Sequence, residues 1–122
     1  MEDIYHYLIF KLDSECADFE FDLIPIPPFE FIENNLSLEP YEYFGETVRI
    51  FDRIPKQIVL YYNADILRRV RITFKGDVTD YLTCQLDRIS VELPNGMNLS
   101  ISYFSGFRQT ILLYEKGMLG KN

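Results

Sequence analysis

Alternation of apolar and polar positions is clearest in the second half of the chain, and it predicts β-strands there. Thr47 to Phe51 and Gln57 to Tyr62 are rich in β-branched and aromatic residues. Ile66 to Lys75 alternates cleanly, and Phe107 to Glu115 follows as a last strand. We therefore expect an antiparallel meander over residues 47–115.

The best-defined turn is predicted at Pro94-Asn95-Gly96. A three-residue loop pairs Leu93 with Met97, and every apolar residue of the two flanking strands then meets another apolar residue. This register requires Gly96 in the left-handed conformation, which glycine adopts without strain. Ser105-Gly106 predicts the next bend.

The stretch from Val78 to Leu86 fits two patterns. Its apolar positions suit a strand, but Leu82, Leu86 and Ile89 also form a helical stripe. We prefer the strand because Val78, Thr79 and Thr83 are β-branched, and a helix near 79–88 is the alternative.

The first third of the chain is predicted to begin with two strands. Ile4 to Leu12 is apolar on both of its faces. In Ala17 to Leu23, phenyl rings alternate with carboxylates through Asp18-Phe19-Glu20-Phe21-Asp22, so an extended chain would point the rings inward. The prolines of 25–28 then interrupt the pattern.

After the prolines, Phe29 to Glu33 predicts a short strand and Leu36 to Gly45 an irregular stretch. The fold class expected is mainly β, an antiparallel sandwich or small barrel of about nine to ten short strands with little helix. The alternative is an α+β fold with one helix near 79–88. A chain of 122 residues suits one domain, here with an acidic segment 13–46, the meander and a frayed tail 117–122.

Charge divides the chain unevenly. The formal net charge is -7, made up of -11 in residues 1–46 and +4 in residues 47–122. The acidic segment from Asp13 to Glu46 holds ten carboxylates and no Lys or Arg. Such a protein repels nucleic acid and anionic membranes and attracts basic partners. We expect no direct contact with nucleic acid or membrane.

The sequence carries no recognisable catalytic motif. His6 is the only histidine, and no predicted neighbour would make it a general base, so a structural role is favoured. Cys16 and Cys84 lack metal-ligand spacing, and the sequence leaves open whether they pair. We expect no enzyme activity, no metal and no cofactor. The start Met1-Glu2-Asp3 lacks the basic region of a signal peptide, which indicates a cytoplasmic protein.

Two charged groups in the sequence allow more than one interpretation. Asp18, Glu20 and Asp22 would lie about 7 Å apart on one strand face and could hold a cation, but a solvated edge strand is the preferred interpretation. The basic stretch from Arg68 to Lys75 could bind phosphate. We favour instead that it neutralises the acidic segment across the sheet.

The acidic segment also has the composition of a protein interface, since prolines and aromatic rings accompany its carboxylates. Aromatic side chains serve as anchors, and carboxylates steer a basic partner. The predicted partner-binding residues are Asp18, Glu20, Asp22, Glu30, Glu33, Glu39, Tyr41, Glu42 and Tyr43.

In size, charge and the acidic aromatic stretch from Asp18 to Glu46, the chain resembles immunity proteins of bacterial toxin systems, including contact-dependent growth inhibition. The resemblance implies a non-enzymatic protein that binds a cognate toxin, often a basic nuclease, and covers its active site. The alternatives are a small-molecule-binding or enzymatic barrel using His6 or Cys84, an inhibitor that mimics nucleic acid, and a homo-oligomer subunit. We expect a monomer.

Overall fold

A computed structural model describes residues 4–33, 35–89, 93 and 96–116, apart from the side chains of residues 17, 20 and 21. The described residues form two α-helices, α1 (Tyr5–Leu8) and α2 (Thr79–Ile89), and a 3-10 helix (Cys16–Asp22). The strands among them are β1 (Leu23–Pro25), β2 (Phe31–Glu33), β3 (Leu36–Tyr43), β4 (Gln57–Asn63), β5 (Ile66–Lys75), β6 (Met97–Phe104) and β7 (Gln109–Lys116).

These strands make one antiparallel sheet in the order β1-β3-β4-β5-β7-β6, and β2 pairs with β3 as well. A tight turn joins β4 to β5, with positive φ at both Ala64 and Asp65, which matches the right-handed twist of the hairpin. The chain then crosses through α2, and β6 pairs only with β7 among the described strands.

The main hydrophobic core lies on one side of this sheet, which we call the covered face. Ile4, Leu8 and Phe10 from the N-terminal segment pack there together with Leu82 of α2. The sheet contributes the buried side chains of Ile58, Leu60, Tyr62, Leu67, Val70, Ile72, Phe74, Leu112 and Tyr114. Burial of this apolar surface is the main stabilising contribution to the fold.

The opposite side of the sheet, the open face, carries a smaller cluster. Leu38, Val59 and Tyr61 are buried there, and Ile26 and Phe31 pack against them. The open face of the sheet is therefore covered around Leu38 in the N-terminal half of β3.

The mainly β class is confirmed, and the helix near 79–88, which is the alternative expectation, is present as α2. The sheet is open, and its seven described strands replace the nine or ten expected in a sandwich or barrel. The difference arises where segments predicted as strands form helices or turns.

The preference for a strand over Val78 to Leu86 is wrong, and the helical alternative is right. The Asp77 carboxylate accepts a hydrogen bond from the Thr79 amide at 3.1 Å and so caps the helix start. Leu82 is fully buried, with Leu86 packed beside it. Helix capping and a helical apolar stripe outweigh the weak β-preference of the threonines.

The strand predicted from Ile4 to Leu12 is also wrong, because its first half forms α1. Ile4 and Leu8 are both buried, and a spacing of four residues satisfies a two-residue period and a helical period equally. The chain turns at Ile9, whose φ is 73°, and Phe10 and Leu12 return to the core.

The strand predicted from Ala17 to Leu23 is wrong except at its last residue. The segment forms the 3-10 helix, kinked at Phe19, and Phe19 packs on the core. A strand would align the carboxylates of Asp18, Glu20 and Asp22 on one face, where like charges repel each other. In the 3-10 helix the Phe19 ring packs on the core without a neighbouring strand.

The irregular stretch predicted from Leu36 to Gly45 is wrong, since most of it forms β3. Pro40 lies within β3, and its carbonyl accepts a hydrogen bond from the Ile26 amide at 3.2 Å. In an antiparallel sheet the amide and the carbonyl of one residue point to the same neighbouring strand. The Pro40 carbonyl points to the junction between β1 and β2, so the N–H that proline lacks would also point to that junction, where no ladder hydrogen bond is lost.

The strand predicted from Thr47 to Phe51 is replaced by a tight turn. Ile50 and Arg53 exchange backbone hydrogen bonds of 2.8 and 3.0 Å, and Phe51 and Asp52 between them have positive φ. This conformation is rare for a phenylalanine, and burial of the Phe51 ring in the core stabilises it.

The strands predicted at Gln57 to Tyr62, Ile66 to Lys75 and Phe107 to Glu115 are confirmed as β4, β5 and β7, allowing for shifted ends. The short strand near Phe29 to Glu33 is confirmed as β2. Gly96 has the predicted positive φ, at 81°. The rest of the predicted 94–96 loop, most of the strand before it and the predicted tail 117–122 lie outside the described residues.

Candidate partner-binding surface

The acidic segment forms one edge of the sheet, where β1 and β2 pair with the outer side of β3 and the 3-10 helix lies beside them. We call residues 16–46 the acidic edge. Backbone hydrogen bonds fix it in place: the Phe44 amide donates to the Asp22 carbonyl at 2.9 Å, and the Cys16 amide donates to the Asp65 carbonyl at 2.7 Å. The edge is thus part of the sheet and not a separate arm.

Tyr41 and Tyr43, predicted as anchors for a partner, turn their rings toward the covered face. The Tyr43 ring centroid lies 5.0 Å from that of Phe10 and 6.1 Å from that of Phe19, both edge-to-face. The Tyr41 ring lies 5.8 Å from that of Tyr62. Both tyrosines are half-buried, so they attach the edge to the core and expose only part of each side chain.

Burial raises the pKa of both phenols above the ordinary tyrosine value. The carboxylate of Glu39 adds to this effect at Tyr41. Asp22 and Glu46 add to it at Tyr43, whose hydroxyl also donates to the Glu46 carbonyl at 3.2 Å. Both hydroxyls therefore remain neutral hydrogen-bond donors at physiological pH.

Gly45 permits a close approach at the end of β3. A Cβ atom at this position would lie 2.5 Å from the Tyr43 hydroxyl oxygen and 2.8 Å from the Asp22 carboxyl carbon. Both distances are shorter than van der Waals contact, so any larger residue would displace one of these side chains. Glycine here lets the 3-10 helix pack directly on β3.

Four large apolar side chains on the acidic edge are exposed to solvent, and sequence reasoning did not propose any of them as contacts. Their exposed fractions are 49% for Ile24, 60% for Phe29, 74% for Ile32 and 53% for Phe44. Strand alternation could have found Ile32, because its neighbours in β2 turn to the open face. The register with β3 places Ile24 on the open face and Ile32 on the covered face, so exposed apolar groups lie on both faces of this edge. Exposed apolar groups of this size are typical of a binding surface.

The structure divides the predicted carboxylates into paired and free groups. Glu33 pairs with Arg69, and Glu30 accepts a hydrogen bond from the Ser37 hydroxyl. The side chain of Glu20 is outside the described part. Among the predicted acids with described side chains, those that form no ion pair with a described residue are Asp18, Asp22, Glu30, Glu39 and Glu42.

Arg69 connects the acidic edge to the far side of the sheet. Its guanidinium lies 2.8 Å from the Glu33 carboxylate and 2.8 Å from the Glu115 carboxylate. It also lies over the Tyr61 ring, 5.3 Å from the centroid. Burial alone lowers the pKa of Arg69, but the hydrogen bonds to both carboxylates outweigh burial and raise it. The Glu33 carboxylate is therefore already paired within the chain.

The prediction that the Arg68 to Lys75 stretch neutralises the acidic segment is confirmed for its first two residues. Besides the Arg69 pair, Arg68 lies 3.7 Å from Asp13, which also pairs with Lys116 at 2.6 Å. Arg71 and Lys75 form no ion pair with any described carboxylate. The acidic segment is neutralised at its start and at β2, and not along the rest of the edge.

The residues proposed for a rival catalytic site lie apart. His6 is exposed and lines a shallow cleft of about 180 Å³ together with Arg49, Asp52 and Gln85. Cys84 is an exposed free thiol on α2, and it forms no disulfide with the half-buried Cys16. Among the described residues, no three side chains of the metal-binding types converge. Neither α-helix of the described chain is long and apolar enough to cross a bilayer.

A second cleft lies at the end of the sheet near the β6–β7 turn, and it is basic. Ile54 and Phe107 form its apolar walls, and the cations around it are Lys56, Lys75 and Arg108. Its volume is about 580 Å³, and Phe107 is 77% exposed. We call it the basic cleft.

Comparisons with known proteins identify no relative. A scan against protein-family models finds no match, and searches of curated proteins and of solved structures find none either. Interpretation of the surface therefore depends on its own chemistry.

Proposed function

We propose that the protein is a non-enzymatic binding protein that neutralises a basic toxin through its acidic edge. The observation that supports this proposal is that Ile24, Phe29, Ile32 and Phe44 are all exposed on the acidic edge, most of whose described carboxylates form no ion pair with a described cation. Large apolar side chains exposed together have a free-energy cost in water that a partner removes.

The apolar and charged groups have separate roles in this proposal. Burying an exposed Ile or Phe side chain contributes about 1.5–3 kcal/mol, from which the cost of association is subtracted. The carboxylates of Asp18, Glu39 and Glu42 accelerate association with a basic surface and reject acidic competitors. The apolar groups set how slowly the complex dissociates, and the acids set how fast it forms.

A nuclease is the preferred toxin class because its substrate groove is built to hold phosphates. Carboxylates placed in that groove occupy the positions of the phosphates and block substrate binding. A cytoplasmic location accords with this role, since an exposed free thiol such as that of Cys84 persists in a reducing compartment.

The proposal expects the reading frame directly upstream of this chain's gene to encode a basic toxin, and the test measures the binding kinetics of that frame's product with this protein. Replacing Glu39→Lys together with Glu42→Lys should slow association by about tenfold at low salt and weaken its salt dependence. The matched control is Asp80→Lys with Asp87→Lys, which changes the net charge equally on exposed positions of α2. Equal association rates for the two double variants would overturn the proposal.

A second pair of variants tests the apolar contribution. Ile32→Ser with Phe29→Ser should increase the dissociation rate by about tenfold or more and leave the fold intact, because both side chains are exposed. Ile54→Ser with Phe107→Ser removes exposed apolar groups from the basic cleft and should leave binding unchanged. Inhibition of the partner's nuclease activity should follow the same order among these variants.

The basic cleft supports a second candidate function, the binding of a small organic anion. Its volume is within the range of small-molecule sites, and it combines two apolar walls with three cations. A fluorescent aromatic sulfonate should bind the protein and be displaced by a nucleoside phosphate, and Lys56→Gln with Lys75→Gln should abolish both effects. Binding that survives this double substitution would exclude the cleft.

A further inference from the structure

The two edges of the sheet differ in how they are protected. At the acidic edge, β1 and β2 have three residues each, β1 ends in Pro25, and β2 carries Glu33. Short strands, prolines and charges are the means by which proteins prevent unwanted pairing at a sheet edge. The acidic edge is therefore a poor template for an added strand.

The opposite edge, formed by β6, has none of these protections. It runs for eight residues, Met97 to Phe104, in unbroken register with β7. It contains no charged residue and no proline, and it belongs to a 15-residue uncharged stretch from Leu93 to Phe107. Among the described residues no strand pairs with its outer side, which presents about four amide and four carbonyl groups.

The side chains of β6 also expose apolar surface. Tyr103 and Phe104 are 38% and 46% exposed, and Leu99 and Ile101 are half-buried. A long, uncharged edge with this composition pairs readily with another strand. The whole chain is 25% charged, so an uncharged sheet edge of this length indicates a surface that another strand covers when the protein functions.

We propose that two copies of this chain pair antiparallel through their β6 edges and form a two-fold symmetric dimer with one continuous fourteen-stranded sheet. Residues directly opposite in such a pair must lie on the same face. In the pairing centred on Ile101, the two copies of Ile101 lie opposite each other. Leu99 of each copy then lies opposite Tyr103 of the other copy. On the open face, Ser100 then meets Ser102 of the second copy.

This arrangement is self-complementary. Apolar side chains meet on the covered face, Ser100 meets Ser102 and Asn98 meets Phe104 on the open face, and no charge opposes another across the seam. A partner strand of another protein would need to match the same pattern, whereas a second copy matches it by symmetry.

The electrostatics of the whole chain also favour the β6 edge for self-association. Each copy carries a net charge of -7, concentrated in the acidic segment at the other edge of the sheet. From β1 to β6 there are five strand spacings, a separation of about 24 Å. That distance exceeds the Debye length of about 8 Å in physiological salt, so the acidic edges of the two copies are screened from each other. They lie at the two far ends of the dimer.

The test is the oligomeric state of the full chain measured by light scattering and native mass spectrometry. Wild-type protein should have twice the monomer mass. Ser100→Lys with Ser102→Lys should give the monomer mass, because four lysines then face each other across the seam. Thr47→Lys with Thr83→Lys, exposed positions outside β6, adds the same charge and should stay dimeric.

A mixing experiment separates seam repulsion from misfolding. Ser100→Glu with Ser102→Glu should also give a monomer, and mixing the lysine and glutamate variants should restore a heterodimer with opposite charges paired. A monomeric wild-type protein, a dimer that resists both double substitutions, or variants that fail to form the heterodimer would each overturn the proposal. Polydisperse aggregates of the wild-type protein would overturn it as well.

Discussion

Replacing Tyr62 and Tyr114 by phenylalanine should change the free energy of unfolding in opposite directions, although both side chains are fully buried in the same core. The Tyr114 hydroxyl donates a hydrogen bond to the Phe10 carbonyl and ties the N-terminal segment to β7. The Tyr62 hydroxyl is equally buried but has no hydrogen-bond partner among the described residues.

The expected magnitudes follow from this difference. Tyr114→Phe leaves the buried Phe10 carbonyl unpaired and should lower the free energy of unfolding by about 1–3 kcal/mol. Tyr62→Phe removes a hydroxyl that is desolvated without compensation and should raise it by about 1 kcal/mol. The two variants should therefore differ by about 2–4 kcal/mol.

Urea unfolding measures these differences, followed by far-UV circular dichroism because the chain contains no tryptophan. The two substitutions remove the same atom from similar depth, so each controls for the change in side-chain volume of the other. If Tyr62→Phe destabilises the protein as much as Tyr114→Phe does, the Tyr62 hydroxyl has a partner and this description of the core is incorrect.

Three further predictions concern pH, packing and charge. Burial raises the pKa of Tyr62 and Tyr114, so above the ordinary value of 10.0 the unfolded chain loses protons that the folded chain keeps. Stability should then fall by up to about 1.4 kcal/mol per pH unit for each group, and unfolding curves that do not change with alkaline pH would contradict this. Gly45→Ala should lower the free energy of unfolding by about 1–3 kcal/mol through overpacking, whereas Gly106→Ala, with nothing within 4 Å of its added Cβ, should be nearly neutral in the same assay. Arg69→Met should lower the free energy of unfolding by about 1–2 kcal/mol, because it leaves two partly exposed carboxylates without their cation. Amide hydrogen exchange should also become faster in β2. Unchanged exchange in β2 would contradict the role of Arg69 in linking β2 to β5 and β7.

The sequence predicts the centre of the sheet well because its strands are long and surrounded by neighbours. From Val70 to Phe74 in β5 every second side chain enters the core, so Val70, Ile72 and Phe74 are apolar by necessity. Burial of one face of the strand is the only cause of the alternation there, and the predicted strand is confirmed.

Alternation fails as a signal in the first third of the chain, where other structures satisfy it. Ile4 and Leu8 fit a strand and a helix alike, and the 3-10 helix buries Phe19 without forming a ladder. A strand also needs a neighbouring strand, and no pattern within Ala17 to Leu23 shows whether one is present. The position of Pro40 inside β3 depends on the junction between β1 and β2, which is a property of tertiary structure.

The acidic character of the candidate surface was predictable, but its apolar part was not. Ten carboxylates without a cation are evident in the sequence. Exposure of Ile24 and Ile32 is not, because a strand at a sheet edge can be covered or open with the same residues. Conversely, Tyr41 and Tyr43 look exposed in an irregular stretch and are half-buried once β3 forms.

The most direct test of the acidic edge as the binding surface is amide hydrogen exchange of this chain with and without its basic partner. Partner binding should slow exchange in the 3-10 helix, β1 and β2, and leave β6 and the basic cleft unchanged. Protection confined to β6, to the β6–β7 turn or to α2 would contradict the proposal.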